Sequence, residues 1–153
     1  MKLAEALLKR AELKETRDRL KQRVLDNAKV QDGDEPAEDP KNLLAVLDTT
    51  LQNLQTLIMQ INRTNASTTF EGTETIADAL ARRDILSEKQ KLYQSFYNQL
   101  SIQPDRYSQT EIRFVRCLDP ADVQKTIDKV CQEYRELDTK LQGLNWLVDL
   151  KED

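Results

Sequence analysis

Eight residues near the end of the chain, Val123, Ile127, Val130, Tyr134, Leu137, Leu141, Leu144 and Val148, follow one another at alternating steps of four and three. No other feature restricts the fold as much, because residues three and four apart share one face of an α-helix and of no other regular element. The stripe predicts a helix over 121–150 that packs lengthwise on other helices.

The same spacing recurs upstream. In the first helix, expected over 3–27, Ala6, Arg10, Leu13, Arg17, Leu20 and Val24 form the seam, so two arginines sit where a simple bundle has leucine. Such arginines need an acidic partner or must reach out to water. Asp39-Pro40 opens the second helix, Asp as N-cap and Pro at the first helical position. Its seam of Leu44, Leu47, Leu51, Leu54, Ile58 and Ile61 runs to Asn62. The third helix, about 75–100, carries Ile76, Leu80, Arg83, Leu86, Gln90, Tyr93, Tyr97 and Leu100. Hydrophobic residues at 39%, charged residues at 33%, and only 3 Gly and 4 Pro favour helices with few breaks over a strand-and-turn fold. The pattern predicts an all-α, elongated antiparallel four-helix bundle, a single domain over 1–153. Its connections are an acidic connector at 31–39, a polar loop at 62–74, and a turn with a short strand at 102–118. Thr68-Thr69-Phe70 is the β-prone stretch available to pair with that strand in a small β-ribbon.

If the four helices alternate in direction, the start of the first, the end of the second, the start of the third and the end of the fourth meet at one end. At ~1.5 Å per residue, Arg10 and Arg83 each fall roughly 10 Å from their helix starts. Arg10, Asn62, Thr64, Asn65, Arg83, Asp84, Asp138, Gln142, Asn145 and Trp146 would then form one polar layer. Either Arg10 and Arg83 pair with Asp84 and Asp138 as a structural network, or the surplus of donors accepts a small anionic or polar ligand.

The net charge is −4. Nine Lys/Arg against five Asp/Glu make 1–30 mildly basic, but the acids are interleaved with the bases, as in a solvated ion-paired face rather than a nucleic-acid surface. Without a single histidine the chain offers no histidine base and no ferritin-like di-iron motif. Carboxylate chemistry stays open: Glu12-x-x-Glu15, and Glu133-x-x-Glu136 with Asp138, are similar to the Mg-binding pairs of all-helical nucleotide pyrophosphatases, although Glu-rich helices produce such pairs by chance. Cys117 and Cys131 have no CxxC spacing and are expected to be free thiols, the second at the edge of the last seam. The first residues enter an amphipathic pattern instead of a signal region and no window is apolar enough to span a membrane, so the cytoplasm is the expected compartment.

The segments KLAEALLKRAELK, VQDGDEPAEDP, INRTN, ALARRD, DRYSQTEI and ELDTKLQGLNW, in that order, resemble an uncharacterised bacterial family labelled septicolysin. The name implies a thiol-dependent cytolysin, but the sequence has no secretion signal, no amphipathic β-hairpins and no tryptophan-rich loop around a cysteine; Cys117 sits in VRCLDP. The toxin name therefore reads as a misnomer. The expectation is a non-catalytic interaction or scaffold protein forming a homo-oligomer, without cofactor, nucleic acid or membrane. A binder of a small anionic or polar ligand, a carboxylate-metal phosphohydrolase and, as the family name implies, a cytolysin are the alternatives.

Overall fold

Four helices, α1 (Leu3–Asn27), α2 (Pro40–Ser67), α3 (Ile76–Ser101) and α4 (Pro120–Asn145), carry the fold, with a two-stranded hairpin of β1 (Thr69–Glu71) and β2 (Glu74–Thr75) between α2 and α3. The computed structural model describes residues 1–101 and 113–153. The predicted turn at Pro104–Tyr107, and Glu111 and Ile112 of the expected short strand, lie outside them. Contacts divide the chain into two units, Met1–Thr75 with Gln142–Asp153, and Ile76–Leu141.

The helix starts are those expected from sequence. Asp39 accepts the Lys41 N–H at 3.0 Å ahead of Pro40, and Asp119 accepts the Ala121 N–H at 2.9 Å ahead of Pro120. Each carboxylate satisfies a donor that the first helical turn leaves without a partner. At the start of α1 the Lys2 N–H donates to Glu5 at 2.7 Å.

In the first unit α1 and α2 pack antiparallel. The α1 seam is the expected one: Ala6 and Leu20 are buried, with Leu3 and Asn27 extending it at either end. Arg17 on this seam is answered by its neighbour Asp18, Nε to Oδ1 at 2.9 Å. The α2 stripe, however, differs from the predicted one. Leu44 and Leu51 are exposed, and the covered stripe is Leu43, Leu47, Thr50, Leu54, Leu57, Ile61 and Thr64, an unbroken alternation of four and three. Thr50 and Thr64 donate their hydroxyls to the carbonyls of Val46 and Gln60, both at 2.8 Å. The hydroxyl is thereby satisfied within the helix, and the methyl and Cβ face the core as an apolar group.

The connector at 31–39 is tied to α1. Arg23 grips Glu38 with two nitrogens, Nε to Oε2 at 2.9 Å, and Nη2 to Oε1. The buried Asn27 accepts the Glu38 N–H at 3.0 Å while donating to the Arg23 carbonyl at 2.9 Å. Gly33, at φ +90°, turns the connector in a conformation that residues with a Cβ rarely adopt.

The polar loop expected over 62–74 is mostly not a loop. Helix α2 continues five residues past Asn62, to Ser67, so Asn62, Thr64 and Asn65 are helical. The β-ribbon forms within the remaining residues: Glu71 pairs with Glu74 around Gly72-Thr73, and Gly72 at φ +56° supplies the positive φ of a II′-type turn. The expected partner of Thr69 and Phe70 was the 111–117 stretch, but residues 113–118 carry no strand. A hairpin over a glycine-first two-residue turn closes with less loop than a pairing some forty residues apart.

Candidate functional site

Of the ten residues expected in the polar layer, Arg83, Asp84 and Asp138 belong to the second unit and the other seven to the first. In the first unit Thr64 is wholly buried, and its hydroxyl accepts the Lys151 N–H at 2.9 Å. The donor and one acceptor position of this oxygen are therefore both used. Asn62 is exposed, and Arg10, Asn65 and Asn145 are half-buried. Gln142 and Trp146 are exposed at the tightening end of α4, where the Trp146 N–H donates to Gly143 and the Leu147 N–H to Leu144.

What anchors this region is the segment after α4, which sequence reasoning did not single out. Leu3 N–H donates to the Val148 carbonyl at 2.9 Å, and Leu150 N–H to the Met1 carbonyl at 2.8 Å. Lys2 Nζ lies 2.8 Å from Asp149 and donates to the Leu147 carbonyl at 3.1 Å, and Lys151 Nζ donates to Ser67 Oγ at 2.7 Å. Residues 147–151 thus cross the start of α1 and the end of α2 as a strap, with Leu150 buried beneath it. The signal in the sequence is slight: one leucine among charged residues. The Lys2 ammonium holds the Asp149 carboxyl below its ordinary range, chiefly by hydrogen bonding, and Arg23 does the same to Glu38.

In the second unit the expected pair forms. Arg83 Nη1 donates to Asp138 Oδ1 at 2.9 Å, with side chains 25% and 33% exposed, and Arg83 Nε lies 3.8 Å from Asp84. This joins α3 to α4 through an arginine placed on the inner face of α3.

Three of the five acids considered for metal binding are engaged along their own helices, and Asp138 is engaged with Arg83. Glu15 lies 3.9 Å from Arg19, Glu133 lies 3.9 Å from Lys129, and Glu136 accepts from Gln132 at 3.0 Å. Among the described residues no three His, Cys, Asp or Glu side chains gather as metal ligands, and both cysteines are free, Cys117 exposed and Cys131 half-buried.

The chemistry that remains conspicuous is apolar. Helix α3 buries only Ile76 and Ala79, both in its first turn, while Leu86, Tyr93, Tyr97 and Leu100 are half-buried. Its outward side shows Ile85, Leu92 and Phe96 to solvent, and Phe96 rests against Tyr93 with ring centroids 5.5 Å apart. Beyond α3, Phe114, Val115 and Leu118 are exposed as well. Arg116 fastens this segment to the end of α3 by donating to the Leu100 carbonyl at 2.8 Å. The seam expected for α3 holds only inward positions, and this second stripe lies outside it.

Fold and site together define a mainly helical protein whose described residues join α3 to α4 by an ion pair and leave one helix face apolar and uncovered. No described helix is long and apolar enough to cross a membrane. The chain belongs to a family of unknown function, DUF6847, whose model matches residues 10–150. It is similar over 99% of both chains, with 43% identity and a TM-score of 0.92, to a functionally unknown conserved protein of known crystal structure from Corynebacterium diphtheriae. No curated protein matches it.

Proposed function

We propose that the chain is a non-catalytic interaction protein that assembles with further copies of itself through the outward side of α3. The carrying observation is the exposure of α3 and its continuation: Ile85 61%, Leu92 51%, Phe96 44%, Phe114 87%, Val115 82% and Leu118 56%. Ile85, Leu92 and Phe96 share one side of α3 and together show on the order of 300 Å² to water, already the size of a functional apolar patch; Phe114, Val115 and Leu118 lie on the segment that Arg116 ties to the end of α3. Beyond its first turn the inward seam of α3 is only half-buried, so a partner on the outward side adds to the packing from which helices draw most of their stability.

Sedimentation velocity from about 1 to 200 μM tests the proposal. The expected result is a dimer or larger species that dissociates on dilution, and that Leu92→Glu with Phe96→Glu converts to a monomer of unchanged helix content. A monomer throughout this range would refute it.

A further inference from the structure

We infer that two copies pair through α3 in antiparallel register, about a two-fold axis that crosses the helix between Glu88 and Lys89. This register rests on the self-association proposed above and specifies its geometry. The outward residues Ala81, Ile85, Glu88, Lys89, Leu92 and Phe96 are all exposed and span about 22 Å, or four helical turns. A two-fold interface must be complementary to itself, so that if one residue meets a second, the second meets the first. Reversal about the midpoint of Glu88 and Lys89 places Ile85 against Leu92 of the other copy, the small Ala81 against the large Phe96, and Glu88 against Lys89. Apolar meets apolar, small meets large, and each acid meets a base, twice over.

Other arrangements of the same stripe fail on at least one of these terms. Parallel pairing sets Glu88 against Glu88 and Lys89 against Lys89, and like charges across an interface disfavour it. Antiparallel pairing centred on Leu92 puts Glu88 against Phe96 and Ile85 against Gln99. Centred on Ile85, it puts Leu92 against Asp78. Both set a carboxylate or an amide of one copy against an apolar side chain of the other, so the facing residues are not complementary. Within each copy Lys89 Nζ lies 5.7 Å from the centre of the Tyr93 ring, at the edge of the outward side, and the side chain itself is exposed.

Charge exchange and cross-linking test this register. Glu88→Lys or Lys89→Glu alone is expected to weaken dimerisation roughly tenfold or more, and the double exchange to restore it to within about threefold, because opposite charges again face one another. For cross-linking, both native cysteines are replaced by serine and Ile85→Cys chains are mixed with Leu92→Cys chains. Oxidation should give the mixed dimer predominantly. Like positions stand about 10 Å apart along the helix axes in this register, beyond disulfide reach. A wild-type dimer in which the double exchange restores nothing, or in which like positions cross-link preferentially, overturns the register and leaves self-association standing. A wild-type monomer overturns both, and leaves the face to a different protein.

Discussion

Thr64→Val isolates the work of one buried hydroxyl. Valine keeps the branched shape and nearly the helix propensity of threonine, so packing and helix terms largely cancel. The carbonyl of Gln60 retains its helical bond from the residue 64 amide and loses only a second donor. The Lys151 N–H, which the hydroxyl accepts at 2.9 Å, is left without its acceptor. An unsatisfied buried donor costs about 1–3 kcal/mol. Lys151 is exposed, so water reaches the freed amide in part and the lower half of that range applies. A loss of about 1–1.5 kcal/mol lowers Tm by roughly 2–6 °C in a chain of this size. Thermal unfolding followed by circular dichroism measures this, and hydrogen exchange localises it: the Lys151 amide should exchange about tenfold faster, while amides in the middle of α1 change no more than the global loss dictates. Thr64→Ser is the counterpart. It keeps the acceptor and the Lys151 protection but removes a methyl from a wholly buried position, at a cost of about 1 kcal/mol. If Thr64→Val melts within about 1 °C of the wild type and the Lys151 amide exchanges as before, the strap is not held by this bond.

Two further outcomes follow from the charged pairs. A double-mutant cycle on Arg83→Met and Asp138→Asn should give a coupling on the order of 1 kcal/mol, larger than for a fully exposed pair because both side chains are partly covered; additive single effects would show that the pair contributes nothing. The carboxyls of Glu38 and Asp149 are held below their ordinary range by Arg23 and Lys2, so the unfolded chain takes up their protons first as pH falls. Their contribution is complete above the ordinary carboxylate pKa near 4 and is lost as pH drops through the lowered native values. Tm measured from pH 6 to 2.5 should therefore fall less for Glu38→Gln with Asp149→Asn than for the wild type, and equal slopes would contradict this.

Four helices were legible in the spacing of leucines, isoleucines and valines, and their starts at Asp39-Pro40 and Asp119-Pro120 in two dipeptides, because helix periodicity and capping are local properties. Arg83 could be picked out for the same reason, because it interrupts the apolar seam of α3, whereas Asp138 stands beside the α4 seam, next to Leu137. Every second position of the α2 stripe was misplaced by one, Leu44 for Leu43, Leu51 for Thr50 and Ile58 for Leu57, and Thr50 and Thr64 look polar until their hydroxyls are seen bonded to the preceding turn. The hairpin around Gly72 was discernible in Glu-Gly-Thr-Glu, but the long helical pattern beside it absorbed too few residues and left an apparent loop.

What the sequence determined by itself was therefore that four helices form, where they start, and every second covered position of α2, since these depend on residues within two turns of one another. Only tertiary structure decided that α4 ends at Asn145 rather than near 150, that Thr64 serves the core and the strap, that Lys2, Asp149 and Lys151 close the first unit, and that the described residues leave a second apolar side of α3 uncovered. Each of these depends on what stands opposite a side chain across 80 or more residues of chain, or on nothing standing there, and periodicity along one helix carries no record of that.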